Sequence, residues 1–190
     1  RAGGVCAADL SAERGVGFAQ REGVTVLLDG DIYNERPEGQ SDADVALGLY
    51  REYGQAFPAY LEGVFACAVY DGEDLLLARD AVGVRPVYCG TLKDGGKCFA
   101  SEMKALVGVA DDIWELPPST VYSASASVSR YRPRLPDVLV PTDFDEAKRL
   151  VRDLMTEAVR RRIEDGAVGA CLLSGGLDSS IITCVAHEFA

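Results

Sequence analysis

Short apolar runs separated by glycine, aspartate and proline fill the first two thirds of the chain. Six of these runs predict β-strands, at residues 24–28, 64–70, 75–78, 86–89, 97–100 and 121–122. The pair Asp71-Gly72 between the second and third runs predicts a β-hairpin, and the KDGG string at residues 93–96 predicts another. The pattern therefore predicts an antiparallel domain rich in hairpins.

A helical pattern interrupts these strands once. Ser41 opens the predicted helix, Asp44 is placed to complete a capping box, and Gly54 ends the helix. Its predicted inner stripe consists of Val45, Leu49 and Tyr53. A second, short helix is predicted at residues 102–107.

The pattern changes after a proline-containing segment. Pro133, Pro136 and Pro141 cannot continue a helix, so residues 133–142 are predicted to link an N-terminal domain, residues 1–132, to residues 143–190. Beyond this linker a long helix is predicted at residues 143–164, with Asp143 and Glu146 as its capping pair. Its apolar positions are Phe144, Ala147, Val151, Leu154, Ala158 and Ile163.

The turn SGGLDSS at residues 174–180 gives the clearest indication of a chemical function. The apolar run before it, residues 168–173, does not alternate, which predicts a buried parallel strand and hence a strand-turn-helix unit. Gly175 and Gly176 let backbone N–H groups approach an anion, and the start of the next helix adds further N–H groups. Asp178 is a candidate magnesium ligand, and hydroxyl donors come from Ser174, Ser179 and Ser180.

These features predict a site for the phosphates of ATP. No lysine follows the second glycine, which excludes the Walker pattern. The turn instead resembles the SGGxDS signature of the ATP pyrophosphatase group, whose members adenylate a substrate and release pyrophosphate.

Composition narrows the possible classes of function. A net charge of −11 and the absence of a long lysine or arginine run argue against nucleic-acid or anionic-membrane binding. The six cysteines include no CxxC pair, and His187 is the single histidine. The sequence therefore lacks parts of both a zinc-binding pattern and a histidine-dependent catalytic triad. The chain fits the reducing cytoplasm. Because it starts at Arg1 and stops about one helix after the turn, we expect a fragment of a longer protein.

Several further strings resemble glutamine-hydrolysing asparagine synthetase, and they occur in the order expected of that family. They are DGDIYN at residues 29–34, SD at 41–42, EGVFA at 62–66, RD at 79–80, RPVY at 85–88 and ASEMKAL at 100–106. With the turn at 174–179 they cover nearly all the chain from Val24 onward.

The resemblance implies an α+β N-terminal domain of the class II glutamine amidotransferase type, an αββα sandwich of two antiparallel sheets. The first βα unit of an α/β ATP pyrophosphatase-type domain would follow. In such an enzyme ATP and aspartate form β-aspartyl-adenylate with magnesium, and ammonia from glutamine displaces AMP to give asparagine. The implied partners are small molecules, namely glutamine, aspartate and ATP, and a homodimer is one expectation for the full-length protein.

Matching the family residue by residue assigns the sites. The family's Asn-Gly-Glu becomes Asp29-Gly30-Asp31, and only Gly30 keeps its oxyanion-hole role, because a carboxylate at position 29 has no N–H to donate. Asp42 matches the aspartate that holds the substrate α-amino group. The glutamine-binding set is thus Asp29, Gly30, Asp31 and Asp42. The ATP-binding set is Leu172, beside the adenine-bearing half, with Ser174, Gly175, Gly176, Asp178 and Ser179, and Asp178 is also the metal ligand.

Two family features have no match. The family's nucleophile is an N-terminal cysteine, but Cys6 is neither terminal nor followed by Gly-Ile, so we assign no nucleophile. The family's Arg-Leu-Ser string, which binds the glutamine carboxylate, is best matched by Asp9-Leu10-Ser11. The position of the arginine is then occupied by an aspartate.

Two other functions stay open at this point. A ligase of the β-lactam synthetase type would adenylate another carboxylate and carry an inactive glutaminase domain, which the missing cysteine and Asp29 favour. A pseudoenzyme would bind nucleotide or glutamine without turnover. The near-complete run of family strings favours asparagine synthesis over both.

Overall fold

A computed structural model describes residues 16–125, 127–134, 141, 143–164 and 168–189. The chain forms two compact units, Arg1–Arg134 and Leu135–Ala190. Most of the predicted linker lies outside the described residues, as do Cys6 and the Asp9-Leu10-Ser11 string.

Two antiparallel sheets build the first unit. The strands of the larger sheet are β1 (Gly17–Arg21), β2 (Val24–Ile32), β3 (Gly63–Tyr70), β4 (Leu75–Arg79), β8 (Thr120–Ser123) and β9 (Val128–Arg130), in the order β1-β2-β3-β4-β8-β9. The smaller sheet has the order β6-β5-β7, with β5 (Tyr88–Leu92), β6 (Lys97–Ala100) and β7 (Ala110–Glu115). Both predicted hairpins are confirmed, and so is the predicted pair of antiparallel sheets.

Alternation along the central strands separates two cores. In β3, Phe65, Cys67 and Val69 face the core beneath the first helix, while Ala66 and Ala68 face the core that includes residues of the smaller sheet. Because successive side chains of a strand point to opposite faces, one apolar strand serves both layers. The sheet is therefore buried on both sides, which explains the continuous apolar run.

Helix α1 (Asp42–Tyr53) covers one face of the larger sheet. Its predicted capping box is present: the Asp44 N–H donates to Ser41 Oγ, and the Ser41 N–H donates back to the Asp44 carboxylate at 3.0 Å. The fully buried face differs from the predicted stripe. It consists of Ala43, Ala46 and Leu47, whereas Val45, Leu49 and Tyr53 are half-buried at the edge of the core. Small alanine side chains let the helix approach the sheet closely, so they occupy the centre of the contact.

Two 3₁₀ helices, Gly54–Tyr60 and Met103–Ala105, complete the first unit within the described residues. The second replaces the longer helix predicted at residues 102–107.

The second unit contains α2 (Phe144–Ile163) and α3 (Leu177–His187), and these helices pack on each other. Asp143 caps α2 by accepting from the Glu146 N–H at 2.8 Å. The predicted apolar stripe is largely exposed, since Phe144 is 82% exposed and only Val159 of this helix is buried. Residues 168–173 are in no strand. A parallel strand needs neighbours to receive its hydrogen bonds, and no other described segment pairs with this one.

Candidate functional site

A short loop after β4 is fixed by a buried carboxylate. Asp80 is 1% exposed and follows the last residue of β4 directly. Its two oxygens accept five backbone N–H bonds at 2.6 to 3.3 Å, from Phe65, Val82, Gly83, Val84 and Arg85. One side chain therefore satisfies nearly every amide of the loop.

The neighbouring Arg79 binds the carbonyl groups of the same loop. Its Nε donates to the Arg85 carbonyl at 2.7 Å and its Nη2 to the Gly83 carbonyl at 2.9 Å. Its Nη1 pairs with the Glu115 carboxylate at 2.7 Å and donates to the Leu116 carbonyl at 2.6 Å. Arg79 and Asp80 thus hold Arg85 by both its backbone N–H and its backbone carbonyl.

The predicted glutamine-binding residues lie at the end of β2. Asp29 and Asp31 are two positions apart in a strand, so they share one face, and Leu27 on that face packs into the core shared with the smaller sheet. Gly30 between them has φ +137°, and a Cβ there would lie 2.0 Å from the Val64 carbonyl oxygen. Only glycine fits this position, which brings the β2 and β3 backbones together.

Arg85 and Ser101 complete this edge. The Arg85 guanidinium lies between the two carboxylates, with Nη1 3.6 Å from Asp29 Oδ1 and Nη2 3.8 Å from Asp31 Oδ2. Ser101 Oγ donates to Asp29 Oδ2 at 3.1 Å. All three charged side chains are half-buried, so their attraction is weakened but not abolished by solvent. We name Asp29, Gly30, Asp31, Arg85 and Ser101 the β2 edge site.

Asp42 lies near the same strand end. One carboxylate oxygen accepts from the backbone N–H of Ile32 at 3.0 Å, which ties the start of α1 to β2. The other oxygen forms an ion pair with Arg36, from the loop between β2 and α1. The position predicted to hold a substrate ammonium is therefore paired with a guanidinium of the chain itself.

The buried thiols of this unit are poor nucleophiles. Burial raises the pKa of the Cys67 thiol to about 12, and burial together with the neighbouring Cys98 raises the pKa of Cys89 to about 12. A thiol attacks as its thiolate, so neither is activated at neutral pH.

The predicted ATP-binding residues cluster in the second unit around the start of α3. Gly175 has φ +81°, and Gly176 is the N-cap residue of α3. Ser174 Oγ and Ser179 Oγ are 3.0 Å apart, and the hydroxyls of Ser179 and Ser180 also donate to the Gly176 carbonyl. Among the described residues no side chain caps this helix, so its first N–H groups point out of the turn without a side-chain acceptor.

Asp178 and Leu172 are exposed at this turn. Asp178 lies in the first turn of α3, and Leu172 is 96% exposed beside the turn. The described residues hold no group of three or more acidic, histidine or cysteine side chains that could bind a metal by themselves. Asp178 is thus a single carboxylate beside the first N–H groups of a helix. Magnesium in proteins commonly takes one or two carboxylates together with phosphate oxygens.

Sequence reasoning left the roles of Arg85 and Ser101 undefined and did not single out Arg36. Two carboxylates on one face of a strand are a signal that a cation lies nearby, but that signal does not identify which arginine supplies the charge.

The family match identifies the first unit as a glutamine amidotransferase domain. Residues 18–124, more than half of the chain, match the family described as glutamine amidotransferase domain, and the chain belongs to that family. Residues 150–190 match the asparagine synthase family. The resemblance seen in the sequence strings is thus confirmed.

Curated relatives are asparagine synthetases. An Arabidopsis thaliana asparagine synthetase [glutamine-hydrolyzing] 3 is 36% identical over 178 residues, which is 86% of this chain and 30% of the relative. Asparagine synthetase B [glutamine-hydrolyzing] of Escherichia coli K12 is 34% identical over 188 residues, which is 91% of this chain and 34% of the relative. The chain therefore spans about a third of the length of these relatives.

Two solved structures match the chain with TM-scores below 0.5. An allosteric regulatory enzyme of purine biosynthesis matches with a TM-score of 0.47 and 20% identity, over 60% of this chain and 30% of that one. A glutamine phosphoribosylpyrophosphate amidotransferase from B. subtilis matches with a TM-score of 0.49 and 16% identity, over 91% and 46% of the two chains.

No helix among the described residues is long and apolar enough to cross a membrane.

Proposed function

We infer that this chain belongs to a ligase that makes asparagine from aspartate, with ATP as the energy source and glutamine as the nitrogen donor. The observation that carries this proposal is the presence of both matches in one chain, an amidotransferase unit and the open SGGLDSS turn at the start of α3. The first unit would release ammonia, and the second would contribute to activation of the acceptor carboxylate.

The turn residues suit the phosphates of ATP. Ser174, Gly175, Gly176 and Ser179 surround the N-terminus of α3, where N–H groups and the helix dipole favour a negative charge. Asp178 would hold magnesium against the phosphate oxygens, and the exposed Leu172 would lie beside the adenine-bearing half. Bound MgATP supplies the phosphorus atom that the aspartate β-carboxylate attacks, with release of pyrophosphate and formation of β-aspartyl-adenylate.

The edge site suits glutamine in one respect and opposes it in another. Gly30 would offer its backbone N–H to the glutamine carbonyl, whereas Asp29 would place a carboxylate where an oxyanion develops. Asp42 would bind the substrate ammonium after exchange with Arg36. We therefore expect glutamine hydrolysis to depend on how this chain compensates the charge of Asp29.

The test uses the full-length protein. Exchange of labelled pyrophosphate into ATP that depends on aspartate, together with formation of glutamate from glutamine and of asparagine, supports the proposal. A matched Asp178→Asn variant is expected to lose the exchange and keep glutamate formation, because Asp178 lies in the second unit and the amidotransferase match lies in the first.

Two results would overturn the proposal. Exchange that is stimulated only by an acid other than aspartate would identify a different acceptor. Absence of exchange with any acid would exclude adenylation altogether.

A further inference from the structure

The β2 edge site holds a hydrogen-bond donor and an acceptor side by side. Asp29 Oδ2 is already bound by the Ser101 hydroxyl at 3.1 Å, so Oδ1 is the oxygen that faces Arg85, with 3.6 Å between it and Nη1. Both Arg85 ion pairs are longer than a hydrogen bond, at 3.6 and 3.8 Å. The guanidinium is therefore held near the carboxylates without being fully engaged by them.

Arg85 also has donor capacity left over. Its Nε is buried and makes no hydrogen bond to any described residue. A buried donor without an acceptor is costly, and such groups are uncommon in folded proteins unless a ligand or water supplies the acceptor. The buried Nε lies out of reach of a ligand, but the Arg85 side chain as a whole is 39% exposed, and its loosely paired Nη atoms can donate to a ligand oxygen.

Two buried side chains hold the main chain of Arg85. The Arg85 N–H donates to Asp80 and its carbonyl accepts from Arg79, and both partners are buried. Ser101 orients Asp29 from the other side. The main chain that carries the donor and the carboxylate that accepts are thus both held before any ligand arrives, which favours a specific site.

A primary carboxamide matches this pair. Its oxygen accepts hydrogen bonds and its NH₂ group donates them, whereas arginine only donates and an ionised aspartate only accepts. A carboxylate in the same place has two accepting oxygens, so one of them would face Asp29 Oδ1 and be repelled. Asp31 adds a second negative charge on the same face.

We propose that Arg85 and Asp29 recognise the side-chain carboxamide of glutamine as a donor-acceptor pair and so distinguish glutamine from glutamate. Arg85 donates to the carboxamide oxygen, and Asp29 accepts from the carboxamide NH₂ group. The aspartate at position 29 then serves selection of the amide over the acid. This inference rests on glutamine being a ligand of this unit.

Calorimetry measures the affinities of the full-length protein for glutamine and for glutamate. If glutamine is hydrolysed, the KM for glutamine and the inhibition constant of glutamate are compared instead. We expect the wild type to prefer glutamine by about tenfold or more, the worth of one charge-assisted hydrogen bond. Asp29→Asn removes the repulsion of glutamate, so glutamate affinity rises and the preference falls to about threefold or less.

Arg85→Met removes the donor, and glutamine affinity is expected to fall about tenfold. Arg51→Met is the matched control, because Arg51 pairs with the exposed Glu22 on the outer side of α1 and is expected to change neither affinity. Far-ultraviolet circular dichroism verifies that each variant is folded.

The outcomes separate this inference from the proposed function. If glutamine is hydrolysed normally and neither variant changes the preference, the donor-acceptor pair is wrong and the proposed function stands. Failure of either amino acid to bind the wild type overturns both the pair and the use of glutamine. A preference for glutamate in the wild type overturns the pair alone.

Discussion

The carboxylate of Asp80 should be worth more to stability than any exposed acidic residue of the chain. Replacement by asparagine keeps the size of the side chain but converts one accepting oxygen into a donating NH₂ group. Oδ1 accepts three N–H bonds, at 2.6 to 3.2 Å, and Oδ2 accepts two, both at 3.3 Å. In the better of its two orientations, the asparagine side chain places its oxygen at the Oδ1 position. It then keeps the three bonds made there and loses the two bonds from the Phe65 and Arg85 N–H groups.

The magnitude follows from this count. A hydrogen bond to a charged group is worth about 1.5–3 kcal/mol, and the buried Phe65 N–H and the partly buried Arg85 N–H would face a donor instead of an acceptor. The two lost bonds are long, so the lower figure applies to each. The three remaining bonds weaken when the negative charge is removed. We expect Asp80→Asn to lower the free energy of unfolding by about 3–5 kcal/mol.

Urea denaturation followed by the fluorescence of Trp114, the only tryptophan, measures this change. Trp114 packs edge-to-face on Tyr122, with ring centroids 5.5 Å apart, so it reports on the unit that contains the loop. The control is Asp94→Asn, since Asp94 is exposed and accepts a single N–H at 3.0 Å, and a loss below about 0.5 kcal/mol is expected. A loss below about 1 kcal/mol for Asp80→Asn would refute the assigned role of the carboxylate.

Two other changes test the packing of the first unit. Gly30→Ala should lower the free energy of unfolding by more than about 3 kcal/mol, because its Cβ would strike a β3 carbonyl oxygen. Gly39→Ala is the control, because Gly39 also has a positive φ, +85°, but its Cβ would meet no atom within 4 Å. This variant should lower the free energy of unfolding by about 1–2 kcal/mol. Equal losses in the two variants would show that movement of the strands relieves the clash at position 30. Iodoacetamide at pH 8 should modify the exposed Cys171 and spare Cys67 and Cys89 until urea is added, as mass spectrometry of the digested chain can show.

Local signals predicted much of the fold. The Asp71-Gly72 turn and the Ser41-Asp44 capping box depend on residues adjacent in sequence, and the structure contains both. The strand at residues 168–173 was predicted from the same kind of signal but does not form. Its hydrogen bonds must come from other strands, and a local pattern cannot supply them.

Local sequence signals also predicted only part of the β2 edge site. Gly30 and the two aspartates could be identified from a short string, whereas Ser101 reaches Asp29 across 72 positions of the chain. That contact depends on how the two sheets face each other, and the apolar pattern does not determine this. The pairing of Arg36 with Asp42 was missed for a related reason, because a loop arginine has no periodicity to mark it.

At its C-terminal end, strand β2 places the apolar Leu28 and Ile32 on the face beneath α1 and the carboxylates of Asp29 and Asp31 on the opposite face. If its pairing with β3 slipped by a single position, Asp29 and Asp31 would enter the core beneath α1, and Leu28 would be expelled from it. The negative charges thus make a shifted alignment far more costly than polar but uncharged side chains would. Asp29 and Asp31 therefore disfavour the shifted register in addition to the role in ligand binding that we assign to this site. Replacing both by leucine would remove the ligand-binding carboxylates and the penalty on the shifted register together.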